Sequence, residues 1–138
     1  TYTTDEGLVS TDFPMIRLAD VYLMYAEAVL RGGGGSVQEA IRLVNSIRQR
    51  GYGSSAGAID QAQLTLDFIL AERGRELFWE CTRRTDLIRF GKFTGSNYLW
   101  QWKGGDMNGR SVDAKFNLYP IPTTDMSANP NLIQNPGY

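Results

Sequence analysis

Three glutamates stand one helical turn apart in one segment of this sequence. Glu72, Glu76 and Glu80 follow each other at intervals of four residues, which places them on one face of a helix. Paired carboxyl groups can act as general acid and general base, and a glycoside hydrolase needs two of them beside the bond that it cleaves. The segment therefore holds the residue types that hydrolysis of a glycosidic bond would use.

Arginines interleave with these acids and favour a structural interpretation. Oppositely charged residues recur at spacings of three along the segment, as in Glu72 and Arg75 or Arg73 and Glu76. A neighbouring guanidinium lowers the pKa of a carboxyl group, whereas a general acid needs a raised one. We therefore expect no enzyme, but a structural ion-pair network that connects the third predicted helix to the fourth. Its members are Glu72, Arg73, Arg75, Glu76, Glu80, Arg83, Asp86 and Arg89.

Other catalytic and metal-binding arrangements find little support. The chain has no histidine and one cysteine, which excludes a Ser-His or Cys-His triad and an internal disulfide within it. No phosphate-binding G-x-x-x-x-G-K-[ST] loop occurs. The stretch 106–109, Asp-Met-Asn-Gly, faintly resembles a calcium loop, but later acidic ligands are missing and an Asx turn is the better interpretation. We predict no metal and no cofactor.

Three aromatic residues alternate with other residues further along the chain. Tyr98, Trp100 and Trp102 would point to one face of an extended strand. Flat rings can cover the apolar face of a sugar while polar side chains bond its hydroxyl groups. Such polar side chains lie close by: Asn97, Gln101, Lys103 and Asp106. Asn97, Tyr98, Trp100 and Trp102 are thus the candidate ligand-binding residues, with packing against the helices or a neighbouring domain as the open alternative.

Apolar residues at helical spacing predict the elements that position these groups. The first helix opens at 12–14, Asp-Phe-Pro, and ends at the glycines 32–35; its apolar residues cover so much of its circumference that it must be packed on most sides. Ser36 and Glu39 form a capping box for the second helix, which ends near Gly51. The short connection predicts an antiparallel hairpin.

The next helices carry the charged segment. Thr65 caps the third helix, which continues through Phe78, with Cys81 as a buried inert thiol in the same helical pattern. A shorter fourth helix is expected around 86–90, before Gly91. The two helices are therefore predicted to follow each other closely.

Periodicity ends after the fourth helix. Residues 93–112 read as a glycine-rich loop, and the tail 117–138 contains four of the five prolines, whose missing N–H groups predict an extended strap and no helix. We therefore predict one domain over 1–138, in a mainly α fold. It has tetratricopeptide-like helical hairpins, long irregular loops and an extended Pro-rich C-terminal strap.

Charge and length restrict the partners. The net charge is −1 over 138 residues, which argues against nucleic acid or an anionic membrane surface. No apolar run approaches the roughly 20 residues that span a bilayer. The sequence starts at Thr1 and shows no signal peptide, so we expect any targeting or lipid-attachment signal upstream.

Three motifs in this order resemble the SusD/RagB family. The stretch 12–28, DFPMIRLADVYLMYAEA, resembles the family's helix signature. The second motif runs from 72 to 92 and contains ER-x-RELF and E-x-x-R-x-x-DL-x-R-x-GK. The third joins Y-P-I-P at 119–122 to N-P-N-L-x-Q-N-P-G-Y at 129–138. The resemblance covers nearly the whole chain from position 12 onward.

The resemblance implies a function that composition does not show. It implies a helical, lipid-anchored protein on the extracellular face of the outer membrane of Bacteroidetes-type cells. It implies non-catalytic binding of oligosaccharides such as starch, or of related nutrients, and delivery to a TonB-dependent, SusC-like transporter. The chain would be the C-terminal part of such a protein, with membrane attachment only through a lipid anchor on the missing N-terminal part.

Two departures and one alternative accompany the resemblance. Arg84 and Thr85 stand where the family pattern favours aromatic residues, which predicts different packing around the fourth helix. The family's ligand contacts come mostly from upstream loops, so no established sugar-binding residue transfers to this chain. The alternative function is a helical docking module that supports the transporter complex without touching ligand. An exposed row at Tyr22, Tyr25 and Val29 would favour it.

Overall fold

Helices carry the regular structure of this chain. The computed structural model describes residues 13–138, and within that range no strand forms. The mainly α fold class is confirmed. The polar tail predicted before residue 13 lies outside the described residues. The helices are α1 (Leu18–Leu30), α2 (Val37–Tyr52), α3 (Leu66–Glu76), α4 (Arg83–Arg89) and α5 (Thr123–Ala128).

The chain divides into two compact units, the first of which ends at Cys81. In this first unit α1 packs against both α2 and α3. Its core contains Leu23 of α1, Val44 of α2 and Ile69 of α3, all without solvent exposure. Burying one such aliphatic side chain stabilises a fold by about 1.5–3 kcal/mol. The three helices therefore hold each other through a shared apolar core.

Helix ends in the first unit follow the predicted caps. The hydroxyl of Ser36 accepts a hydrogen bond from the Glu39 amide at 3.3 Å, and that of Thr65 accepts one from the Phe68 amide at 3.1 Å. Both N-caps are confirmed, but the reciprocal bond of the predicted capping box does not form: the Ser36 amide donates to the Tyr25 hydroxyl at 3.0 Å, and the Glu39 carboxylate accepts from Arg42. Helix α2 ends at Gly53, whose φ of +68° is left-handed, two residues after the predicted end at Gly51. The hydroxyl groups of Ser36 and Thr65 thus each satisfy an amide that the helix itself leaves unpaired.

Helix α1 begins later than the sequence predicts. The prediction placed its start at 12–14, but residues 13–16 are exposed and non-helical, and Arg17 is the N-cap in an extended conformation. The Arg17 side chain binds Glu76 and Glu80 at the other end of the unit. This long-range contact fixes the backbone before the helix and overrides the local proline signal.

The end of α3 corrects the prediction for Cys81. The helix stops at Glu76, and Leu77 is its C-cap. Trp79 and Cys81 then adopt φ values of +67° and +60°, which non-glycine residues rarely do. Cys81 is exposed, so the predicted buried thiol is wrong. A helical apolar pattern continues past Leu77, but the backbone reverses there.

The second unit, Thr82–Tyr138, contains α4 and α5. Helix α4 starts three residues before the predicted 86–90 segment and ends before Gly91, which has a φ of +67°. The amide of Gly95 donates to the carbonyl of Val112 at 2.8 Å and closes the base of the loop between them. Within residues 13–138, no helix is long and apolar enough to cross a membrane.

The tail is not fully extended, which corrects the prediction of no helix. Helix α5 follows Pro122, whose φ of −56° suits the start of a helix. Beyond it, the Gln134 side-chain amide bonds both backbone groups of Ile121, at 2.8 and 2.9 Å. The Asn135 side chain donates to the Tyr119 carbonyl at 2.7 Å. Side-chain amides thus fix the segments on either side of α5.

Candidate ligand-binding site

The predicted aromatic residues lie on the irregular loop of the second unit. The rings of Tyr98 and Trp100 are 5.6 Å apart between centroids and tilted by 58°. Trp100 is 41% exposed and Trp102 is 65% exposed, and Asn97 is exposed as well. Solvent-facing rings beside an amide can contact a flat, amphipathic ligand. The loop therefore has accessible groups of the predicted type.

The loop is not the extended strand on which the prediction rested. Trp102 has a φ of +67° and precedes a short 3-10 turn, Lys103–Gly105. A left-handed residue reverses the chain direction locally, so simple alternation of side chains does not apply beyond it. Tyr98 and Trp100 form a ring pair, while Trp102 follows the left-handed turn.

Lys103 has a different role from the one predicted. The sequence suggested a partner for sugar hydroxyl groups, but Lys103 is only 3% exposed. Its ammonium donates to the Tyr98 carbonyl at 2.7 Å and lies 4.7 Å from the centroid of the Trp100 ring. A buried charge needs such partners. Lys103 is therefore a positioning residue that holds the Tyr98–Trp100 pair.

A tight turn supports the same loop from the other side. The amide of Asn108 donates to the Asp106 carboxylate at 2.9 Å, which confirms the Asx turn. Gly109 has a φ of +74°, and a Cβ at this position would lie 2.3 Å from the Trp100 carbonyl oxygen. Only glycine lets the turn approach that carbonyl. The aromatic loop is thus shaped by backbone contacts that residue types alone do not reveal.

Residues near α4 contact the base of the aromatic pair. The Arg83 guanidinium donates to the Tyr98 hydroxyl at 3.4 Å, and the Lys92 ammonium lies 5.5 Å from the centroid of the Tyr98 ring. Arg83 was predicted to belong to the ion-pair network. Its contact with Tyr98 shows that it also borders the aromatic loop.

The three glutamates of the charged segment all bind arginines. Glu72 contacts Arg75 at 2.5 Å and Arg48 at 2.8 Å. Glu76 contacts Arg17 at 2.5 Å and also Arg50. Both carboxylate oxygens of Glu80 accept hydrogen bonds of 2.9 Å from Nε of Arg17. Each carboxylate is therefore neutralised in the folded chain.

Three of these four arginine partners were not in the predicted network. Arg17 precedes α1, and Arg48 and Arg50 belong to α2, far from the glutamates in the sequence. Only the tertiary fold brings them together. Apolar periodicity predicts that α2 packs nearby, but not which of its polar residues faces α3.

The remaining predicted network members form pairs in each unit. In the first unit, Arg73 of α3 lies 2.8 Å from Asp20 of α1. In the second unit, Arg89 lies 2.7 Å from Asp86, which is almost fully buried. These contacts give the charged residues structural partners within their own units.

Known proteins match this chain along nearly its whole length. The sequence profile of the SusD family matches residues 1–138. The starch-binding protein SusD of Bacteroides thetaiotaomicron is 44% identical over 129 residues, which is 93% of this chain and 22% of that protein.

Solved structures show the same similarity. A SusD superfamily protein from Bacteroides thetaiotaomicron superposes with a TM-score of 0.71 and 34% identity, over 90% of this chain and 28% of that one. Surface glycan-binding protein A from Bacteroides uniformis gives 0.67 and 28%, over 89% and 27%. The chain spans between about a fifth and a third of the length of these relatives.

Proposed function

The chain belongs to the SusD family, and we propose that it is the C-terminal part of a protein that binds oligosaccharides at the cell surface without cleaving them. The observation that carries this proposal is the exposed aromatic loop with Trp100 and Trp102. Relatives named as starch-binding and surface glycan-binding proteins support the ligand class.

The aromatic loop suits a pyranose ring. The tilted Tyr98 and Trp100 rings offer two surfaces for the C–H faces of adjacent sugar units, and Trp102 offers a third. Asn97 can donate to and accept from hydroxyl groups. Lys103 fixes the Tyr98–Trp100 pair before ligand arrives, which lowers the entropy cost of binding.

A non-catalytic role agrees with the state of the carboxylates. Glu72, Glu76 and Glu80 all accept hydrogen bonds from guanidinium groups. Hydrolysis of a glycosidic bond needs two carboxyl groups that are free to act on that bond, whereas these three carboxylates are engaged by arginines of their own unit. The charged segment therefore supports the fold.

The partner and the location follow from family membership as proposals. The whole protein would be anchored by a lipid upstream of this chain, on the extracellular face of the outer membrane. It would pass its oligosaccharide to a SusC-like, TonB-dependent transporter. Recovery of such a transporter with the tagged protein from detergent-solubilised outer membranes tests this assignment.

Removing the exposed indoles is expected to weaken oligosaccharide binding strongly. We predict that the double variant Trp100→Ala/Trp102→Ala loses at least tenfold in affinity for a malto-oligosaccharide, since two exposed rings leave the contact surface and a loss of about 1.4 kcal/mol in binding free energy already corresponds to tenfold. Isothermal titration calorimetry on the full chain measures the affinity. Circular dichroism checks that helix content is unchanged.

The matched control is Trp79→Ala, because Trp79 is an exposed indole in the first unit. This variant should keep the affinity of the unmodified chain. Equal affinity in the double variant would remove the aromatic loop from the site. If the intact protein cleaved the malto-oligosaccharide into shorter sugars, as detected by chromatography, the non-catalytic role would be contradicted.

An exposed apolar row on α1 favours a second function, docking of another protein surface. Tyr22, Tyr25 and Val29 are half-buried, so the row named from the sequence is not the free one. Leu18, Val21 and Met24 are exposed instead. Replacing these three by serine should leave affinity for malto-oligosaccharide unchanged and abolish transporter recovery. Unaltered recovery would exclude this face as the docking surface.

A further inference from the structure

A cavity in the Thr82–Tyr138 unit is lined by none of the candidate residues Asn97, Tyr98, Trp100 and Trp102, although Gly104 and Arg110 of the same loop line it. It has a volume of about 450 Å³, within the usual range of about 300–1,000 Å³ for ligand sites. Its lining combines aromatic rings with Arg84 and Arg110. We propose that it binds an acidic sugar unit that carries a carboxylate. This inference rests on the proposed glycan-binding function and adds a second subsite to it.

Arg84 is held by an aromatic cage at one side of this cavity. Its guanidinium carbon lies 4.0 Å from the centroid of the Tyr119 ring and 5.2 Å from that of Phe93. One of its nitrogens donates to the Phe116 carbonyl at 2.7 Å. Stacking and this bond fix the planar group while leaving other N–H donors available. Arg84 is therefore a fixed cation in the wall of the cavity.

Arg110 supplies the second cation, and a glycine sets its position. Gly104 has a φ of +68°, and a Cβ there would lie 2.7 Å from the Cγ of Arg110. The aliphatic part of Arg110 therefore lies directly on the Gly104 backbone. Arg110 is exposed. Among residues 13–138, neither Arg84 nor Arg110 forms an ion pair.

The single acid of the lining does not neutralise these cations. Asp113 accepts a hydrogen bond from the Lys115 amide at 2.8 Å and caps the turn Ala114–Asn117. The Lys115 ammonium itself lies 5.1 Å from the centroid of the Tyr138 ring, at the edge of the cavity. The cavity therefore has an excess of positive charge, which a carboxylate would balance.

The aromatic walls distinguish a sugar acid from a bare anion. Phe116 and Tyr138 pack edge to face at 6.4 Å, and both line the cavity with Leu118. The Tyr138 hydroxyl donates to the Leu118 carbonyl at 3.0 Å, so these walls present apolar surface, which adds nothing for a small inorganic anion but matches the C–H face of a pyranose ring. A uronic acid unit combines that face with a carboxylate and so matches both parts of the lining.

The test compares acidic and neutral oligosaccharides of equal length on the full chain. We expect Arg110→Gln to weaken binding of an oligogalacturonate at least tenfold and to leave a malto-oligosaccharide unaffected. The loss should shrink as salt rises, because salt screens an exposed charge. Arg110 is exposed and forms no ion pair with the described residues, so this variant should fold normally. Arg84→Gln should produce the same selective loss.

The control is Arg42→Gln, which removes an exposed arginine from α2 in the other unit and should change neither affinity. Oligogalacturonate that binds Arg110→Gln as tightly as the unmodified chain overturns the inference. If the unmodified chain binds the neutral sugar but not the acidic one, this inference is overturned while the proposed function stands. Binding of neither sugar would overturn both proposals, and loss of the acidic sugar only in Trp100→Ala/Trp102→Ala would assign it to the aromatic loop.

Discussion

Replacing Arg73 by methionine is expected to lower the free energy of unfolding by about 3 kcal/mol, near the lower end of values for breaking a buried ion pair. The Arg73 side chain is 4% exposed, and that of its partner Asp20 is 13% exposed. Nη1 of Arg73 lies 2.8 Å from Oδ1 of Asp20 but outside hydrogen-bond geometry, so the contact is mainly electrostatic. Without Arg73, the carboxyl group of Asp20 loses this partner in a poorly solvated place between α1 and α3. Urea denaturation followed by circular dichroism measures the loss.

Two further variants show whether the loss of stability comes from breaking the buried pair or from removing an arginine in general. Arg42→Met removes an exposed pair in which the hydrogen bond from Arg42 lowers the pKa of Glu39, and it should unfold at the same urea concentration as the unmodified chain. Asp20→Leu combined with Arg73→Met should regain most of the stability, because both members of this pair are removed together. If Arg73→Met alone were as stable as the unmodified chain, the Asp20 carboxyl group would have to be solvated or bound by another partner in that variant.

Local signals in the sequence predicted helices α1 to α4 and the starts of α2 and α3. Ser36 and Thr65 cap α2 and α3 through bonds to amides three residues away, so a short stretch of sequence suffices to identify them. Gly91 likewise ends α4 with a positive φ. The fold class follows from such elements because each depends on few neighbours.

Features that depend on distant residues could not be predicted in this way. The late start of α1 depends on Arg17, whose partner Glu80 lies 63 positions away. The left-handed backbone at Trp79 and Cys81 has no glycine to signal it. Helix α5 was hidden because prolines surround it. In each case tertiary contacts decide a conformation that local preference leaves undetermined.

The candidate site shows the same division. Residue types identified Trp100 and Trp102 as candidates but left their burial against the helices or a neighbouring domain as an alternative, and only the fold shows that both are exposed. The shape of the loop depends instead on the buried Lys103 ammonium and on the close approach at Gly109. The local sequence gives one hint of this arrangement, which is that Lys103 stands between the aromatic residues and the glycine pair 104–105.

Replacing Arg17 by glutamine is expected to destabilise the first unit by about 1.5–3 kcal/mol, the usual range for hydrogen bonds to charged groups. Arg17 bonds the carboxylates of Glu76 and Glu80 and also the Glu76 carbonyl. The bond to Glu80, together with Glu76, raises the pKa of Arg17 despite its partial burial. The guanidinium therefore stays charged at any pH at which the protein is handled.

The effect should concentrate where α3 ends. The Glu80 amide donates to the Leu77 carbonyl at 3.1 Å and closes the turn that contains the left-handed Trp79. Without Arg17, we expect this amide to exchange hydrogen at least tenfold faster, as the strained turn loses its anchor. Arg50→Gln is the matched control, since Arg50 also contacts Glu76 but is more exposed; it should leave the Glu80 amide protected. Arg17→Lys keeps the charge but not the planar fork, so intermediate protection is expected. Equal protection in Arg17→Gln and the unmodified chain would mean that the backbone holds the turn without the arginine.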